Sequence, residues 1–211
     1  MVIMMDTKID FKKSMKNLYQ PSAVEAENVD VPEMQFIMID GKGSPGEAQE
    51  YFDAISALYP LAFKLKFMSK GMGKDYVVPP LEGLWWADDM KDFTKGNRDL
   101  WKWTMMIMQP DWITEEMFKR AKEETIAKKP ELSEVISKVR FSKFQEGRSA
   151  QIMHIGPYSE EHPTIMKVHE FIKSQGGQFD GHDQKHHEIY LSDPRRANPK
   201  NMKTVIRQPF I

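Results

Sequence analysis

The chain repeats itself once, and that repeat constrains its fold more than any other feature. Gln35–Asp40 (Q-F-I-M-I-D) is a buried-strand candidate ended by Gly41 and Gly43, and Arg148–Ile155 reads as a second strand, ended by Gly156 and Pro157. Short apolar runs bounded by turn residues predict buried strands. A helical pattern follows each. After the first run, Ser44, Pro45 and Glu47 offer a hydroxyl cap, a proline for the first turn and a glutamate reaching back. Ala48, Tyr51, Phe52, Ile55, Leu58 and Tyr59 then recur at helical spacing, which predicts an amphipathic helix ending before Pro60. After the second run, Ile165, Val168, His169 and Ile172 form a shorter stripe stopped by Gly176 and Gly177. Each half closes with a strand bearing a glutamate (Leu81–Ala87 and Lys185–Ser192) and a strand ending in Gln-Pro (Trp101–Gln109 and Thr204–Pro209). Aligning the halves sets Glu82 against Glu188 and M-I-M-Q-P against V-I-R-Q-P.

Two copies are too few for a solenoid. They predict an α+β chain in which two pseudo-twofold-related strand-helix-strand-strand modules join into one antiparallel sheet, with helices on one face and the other face free to bind something. We read one domain over residues 1–211. Residues 1–33 form a polar N-terminal arm, broken by Pro21 and Pro32, whose amphipathic patch (Phe11, Met15, Leu18, Tyr19) packs on the main body. Residues 34–112 form the first module and 148–211 the second. The connection, 113–147, opens with a helix from Thr114, acidic at its start (Glu115, Glu116), basic at its end (Lys128, Lys129) and stopped by Pro130.

Charge and missing motifs exclude several function classes. Lys and Arg number 30 against 31 Asp and Glu, and the resulting charge of -1 gives no general attraction to nucleic acid or to an anionic membrane. Neither is expected as a partner. No stretch approaches the roughly 20 apolar residues of a membrane span, and apolar Met1–Met5 is too short for a signal peptide, so a cytoplasmic location is expected. Cysteine is absent, which removes thiol nucleophiles and thiolate metal sites. The nucleotide, metalloprotease and serine-hydrolase motifs are absent too, leaving phosphoryl, hydride and acyl-serine chemistry without machinery. His182, Asp183, His186, His187 and Glu188 invite a metal reading. Adjacent strand residues face opposite ways, however, so only His186 and Glu188 share a face, short of the three or four ligands required. No metal or cofactor is expected.

The candidate site residues follow from the strands. Glutamate is depleted in strands and seldom buried without a partner. Glu82 and Glu188 therefore either line a shared groove near the pseudo-twofold axis, or point to solvent or pair with Lys and Arg. Aromatic residues cluster beside the first glutamate. Alternation sends Trp85 and Trp86 to opposite faces and Trp101 and Trp103 to one face, so at least one indole is expected on the ligand side and the others in the core. An aromatic wall beside a carboxylate suits a hydrophobic polycyclic or cationic small molecule. His186 is placed to orient Glu188.

The D-G-K-G-S-P turn, P-L-E-G-L-W-W, H-I-G-P-Y and H-H-E-I-Y-L-S-D-P-R-R together resemble the GyrI-like small-molecule-binding family, over Val31 to Pro209. The resemblance implies tandem strand-helix-strand-strand (SHS2) modules with a ligand groove between them. It places the family's pocket glutamate on Glu188, within E-I-Y where Tyr190 also meets the ligand, and a pocket-rim residue on Tyr158. Some members bind hydrophobic, often cationic drugs, and others resemble hydrolases that open the cyclopropane of cyclopropanoid DNA-alkylating compounds. With its first recognisable strand near residue 35, the chain looks like a stand-alone member without a DNA-binding domain. The implied activity is detoxifying hydrolysis, with Glu188 as base and Glu82 or Tyr158 as its partner, and with Trp85, Trp86, Trp103, His186 and Tyr190 binding substrate. The alternative is sequestration of drugs or modulation of a partner such as gyrase.

Overall fold

The computed structural model of the chain describes residues 8–94 and 96–211, so Met1–Met5 lies outside it. The described chain opens with short helices α1 (Phe11–Ser14) and α2 (Lys16–Tyr19), then strands β1 (Glu27–Val31) and β2 (Met34–Lys42), helix α3 (Gln49–Gly71), strand β3 (Leu81–Trp86), helix α4 (Lys91–Thr94) and strand β4 (Lys102–Gln109). Helices α5 (Glu115–Lys128) and α6 (Ser133–Lys138) lead to β5 (Arg140–Phe144), β6 (Gly147–Ile155), α7 (His162–Ser174), β7 (His186–Tyr190) and β8 (Lys203–Pro209).

Among the described residues the strands form one antiparallel sheet in the order β1-β6-β8-β7-β3-β4-β2-β5. Read outward from the central β7–β3 pair, the halves match: β3-β4-β2 on one side and β7-β8-β6 on the other. Helix α3 packs on β2 and β4, and α7 packs on β6 and β8. The repeat thus yields six strands and two helices, as the sequence predicts. The outer strands β1 and β5 come from the arm and the connecting segment. Neither carries the apolar run that marks the inner strands, because an edge strand pairs on one side only and needs less burial.

Helix α3 departs from expectation at both ends. Ser44 lies in the preceding turn, where its carbonyl accepts from the Glu47 and Ala48 N–H groups, and the helix starts at Gln49. It then runs through Pro60 to Gly71. A proline inside a helix costs about 3 kcal/mol. Leu61 and Leu65 continue the buried stripe with no exposed surface, and burying two leucines is worth about 3 to 6 kcal/mol. Packing wins over the local penalty.

The sheet face away from α3 and α7 is not free. Leu18 and Tyr19 of α2 bury against Val29, Val31, Met153, Ile189 and Val205. Phe11 and Met15 pack beside a second cluster of Phe36, Met38, Leu84, Met106 and Met108. The arm's amphipathic patch thus covers apolar side chains that the strands present on this face. No described helix is long and apolar enough to cross a membrane.

Candidate functional site in the groove between the modules

The pairing of β3 with β7 decides where the two glutamates go. Glu82 lies opposite Ile189, and Gly83 lies opposite Glu188. Directly paired residues share a face and neighbours alternate, so Glu82 and Glu188 point to opposite sides of the sheet. Matching the Gln-Pro strands gives the true equivalence: Ile107 pairs with Leu81 as Ile206 pairs with Glu188. Glu188 therefore corresponds to Leu81, and the expectation that two repeat-matched glutamates share a groove is corrected by one residue of register.

Glu82 belongs instead to a buried network beneath the arm. Its Oε2 is 3.1 Å from His187 Nε2, while His187 Nδ1 lies 3.0 Å from both oxygens of Glu146. Arg207 donates to Glu146 Oε2 (3.1 Å), to Gln151 Oε1 and to the Leu18 carbonyl (2.6 Å), and the Tyr19 hydroxyl donates to Glu82 Oε1 (3.4 Å). The ionic side chains are 1–2% exposed. Burial opposes the charge on His187, but Glu146 and then Glu82 outweigh it and push its pKa up to about 9. The imidazolium donates from both nitrogens, and two carboxylates balance two cations. Such an arrangement fixes structure. It excludes Glu82 from the ligand site and realises the ion-pair alternative, with histidine rather than Lys or Arg as partner.

On the helix side, β7 presents His186, Glu188 and Tyr190 together. The Tyr190 hydroxyl donates to Glu188 Oε2 at 2.7 Å, and His186 Nε2 lies 3.1 Å from Oε1. The Glu188 side chain is 16% exposed. Opposite it, Gly83 contributes no side chain, and a Cβ there would sit 2.8 Å from Trp85 Nε1. Burial, and then Glu188, hold the phenols of Tyr190 and Tyr51 well above their ordinary pKa. Tyr51 of α3 lies 6.4 Å from Trp85, ring to ring, and Tyr158 packs edge-on against Tyr190 at 5.6 Å. These groups set a carboxylate among aromatic side chains where the two modules meet. Two surface clefts of about 340 and 240 Å³ lie elsewhere and are not lined by Glu188.

The other aromatic candidates separate. Trp85 faces the helix side beside Tyr51 but is only 2% exposed. Trp103 pairs with Trp85 on the same face, yet it is fully buried under Tyr51. It is a core residue rather than a ligand contact. Trp86 faces the arm, among the Phe36 and Met106 cluster, with Lys185 Nζ 4.3 Å above its ring. Among the described residues no group of three or more His, Cys, Asp or Glu side chains could hold a metal ion.

The turn after β6 supplies what sequence reasoning missed. His154 anchors it, its Nδ1 2.9 Å from Thr164 Oγ1 and its Nε2 3.3 Å from the Pro157 carbonyl. Gly156 takes φ +147 beside that ring, a conformation that favours glycine. The turn carries Tyr158, 40% exposed at the groove, and Glu161, only 5% exposed. Burial, then Glu161 and Glu188, push the Tyr158 pKa up to about 12. Burial and then Glu188 push Glu161 up to about 9, against the opposing hydrogen bond of the Thr204 side chain. A glutamate at a helix start ordinarily reads as a surface residue favoured by the helix dipole, so nothing in the sequence marks this one as buried.

The family model of the GyrI-like small molecule binding domain matches residues 25–210. The chain belongs to the GyrI-like family. Among solved structures, this GyrI-like domain is similar to an uncharacterized conserved protein from Listeria innocua, at 44% identity and a TM-score of 0.87. It is also similar to a hydrolase from the same organism, at 45% identity and a TM-score of 0.82. Both matches cover 97% of this chain and 100% of the other. The C-terminal domain of EcmrR, 10% identical with a TM-score of 0.55 over 89% of this chain and 97% of its own, shares the fold alone. No curated protein sequence matches. As a GyrI-like domain the chain binds small molecules.

Proposed function

We propose that this domain is a hydrolase that adds water to the activated cyclopropane of cyclopropanoid DNA-alkylating compounds, acting in the cytoplasm as a detoxifying enzyme with Glu188 as base. The observation that carries the reading is a largely buried carboxylate held by Tyr190 and His186 among aromatic side chains. Relatives described as hydrolases, at 45% and 46% identity, support it. In a cyclopropane fused to a cyclohexadienone, ring opening generates a phenol. The reaction therefore has a driving force and needs only an aligned water, a base and a donor for the developing phenolate. Glu188 takes a proton from water as the water oxygen bonds to the ring carbon. The strained C–C bond breaks, and its electron pair moves to the carbonyl oxygen. Tyr158 keeps its proton at this pKa and donates a hydrogen bond to that oxygen, while Tyr51, Trp85 and Tyr190 offer flat apolar surface. His186 positions the base. Glu82, Trp86 and Trp103 have no part in the step.

Mass spectrometry of a cyclopropanoid incubated with catalytic amounts of protein tests this. The expected product is heavier by one water, and Glu188→Gln should slow its formation by about 10² to 10⁴, the usual worth of a general base. Unchanged compound retained one-for-one would make the domain a sequestering binder instead.

A further inference from the structure

The groove holds a second carboxyl that the step above leaves unused. Glu161 stands at the start of α7, where free amides attract carboxylates, yet its side chain makes no capping bond. Only its backbone carbonyl joins the helix, accepting from the Thr164 and Ile165 N–H groups at 2.9 Å. The side chain turns inward, and its buried Oε1 has no hydrogen-bond partner. Leaving a buried polar atom unpaired is costly, and in a native fold such an atom calls for an explanation. The groups around it are Glu188 and Tyr190 of β7, Tyr158 of the turn and Thr204 of β8. No cation stands among them. Two carboxyls sharing an apolar site do not both ionise, and the one with fewer donors keeps the proton. Glu188 has Tyr190 and His186 within hydrogen-bond distance, whereas the Glu161 carboxyl has the Thr204 hydroxyl alone, and its Oε1 has no partner.

We propose that Glu161 is the proton donor of the groove, a neutral acid whose unpartnered Oε1 bonds the carbonyl oxygen of the ligand and protonates it as the ring opens. The proton transfer rests on the hydrolase reading; the hydrogen bond to a carbonyl ligand does not. The step balances as one added water. The water oxygen bonds to carbon while its proton passes to Glu188, the C–C bond breaks toward the carbonyl oxygen, and the Glu161 O–H breaks as the phenol O–H forms. Proton return from Glu188 to Glu161 through solvent resets the site. Tyr158 cannot take this role, because at about 12 it is a weaker acid than an ordinary phenol near 10. Glu161, held at about 9, is a stronger one.

Two flat tricyclic probes, fluorenone and fluorene, differ at one carbon, C=O against CH₂. Wild-type protein should prefer fluorenone by about tenfold, the worth of one well-placed hydrogen bond. Glu161→Leu should abolish the preference while leaving fluorene affinity within about threefold. Preference unchanged in the variant, or binding of neither probe, would overturn the assignment. On a cyclopropanoid, Glu161→Gln can still donate a hydrogen bond but cannot give up a proton, so kcat should fall by about 10² with KM near wild type. Full turnover by Glu161→Gln would overturn the proton transfer and leave Glu188 as base untouched. A carbonyl preference that depends on Glu161 in a wild-type protein without turnover would retain the donor and remove the hydrolase.

Discussion

Glu82 and Glu188 lie on paired strands one register position apart, and the two faces of the sheet give them opposite fates. Beneath the arm, Glu82 and Glu146 meet His187 and Arg207, so charge sums to zero and every ionic group has a bonded partner. In the groove, Glu188 and Glu161 meet phenols, a histidine and indoles, and one carboxyl oxygen has no partner. Burial alone does not make a carboxyl functional. What separates the faces is whether the surroundings complete it: a matched set of cations spends the carboxylate on structure, whereas in the other pair one carboxyl oxygen is left without a partner. A slip of one residue exchanges the faces.

His187 separates the two faces most sharply. Its removal leaves Glu82 buried without a cation and Glu146 with Arg207 alone, so His187→Ala should cost about 3 to 5 kcal/mol in denaturant unfolding. Glu188→Gln, in the incomplete face, should stay within about 1 kcal/mol. Equal losses would mean that both faces are structural. His187 sits at about 9 when folded against an ordinary 6.5, so its contribution is fully present below about pH 6.5 and is lost as pH rises through 9. Stability should fall by about 3 kcal/mol over that window, and His187→Ala should flatten that part of the curve.

Glu161 should behave in the reverse sense when substituted. Its carboxyl is protonated at neutral pH only because folding forces it, from 4.5 to about 9, and holding that proton at pH 7 costs about 3 kcal/mol. Glu161→Gln removes this cost and leaves a buried amide whose unpaired group costs about 1. A net gain of about 2 kcal/mol at pH 7 is expected, together with loss of the decline in stability between pH 4.5 and 9 that this group causes. A destabilised Glu161→Gln would place Glu161 with Glu82 among the structural carboxylates.

Most of the fold is legible in the sequence because the repeat and its Gly/Pro punctuation act locally. Strands β2, β3, β4, β6, β7 and β8 and helix α5 lie where apolar runs and caps place them. What escapes is long-range. Pro60 stops a helix by local rules, but burial of Leu61 and Leu65 carries α3 past it. The arm's cover over the second face follows from packing that joins Leu18 to Val205, which no local pattern encodes. For the site, the strand that carries Glu188 is legible, and alternation sets His186, Glu188 and Tyr190 on one face of it. Glu82 misleads because an unequal loop between glutamate and Gln-Pro hides the register, and register decides the face. Glu161 is invisible because its meaning comes from Glu188, 27 positions away in the chain and across the groove.

The smallest expected effect concerns Trp86, the one indole whose neighbour in sequence faces the groove. Trp85 and Trp86 are adjacent in β3, and alternation assigns one to each face: Trp85 to the helix side beside Tyr51, Trp86 to the arm side under Lys185. A flat polycyclic ligand titrated into the protein should change indole emission through Trp85 and the half-buried Trp101 beside it, 6.3 Å ring to ring. Trp86→Phe should leave both that response and the affinity nearly unchanged, within about 0.5 kcal/mol, since the substituted ring lies across the sheet from the ligand. Trp85→Phe, by contrast, should remove much of the response. A response lost with Trp86 and kept without Trp85 would put the ligand on the arm side, and the assignment of completed and incomplete faces would have to be exchanged.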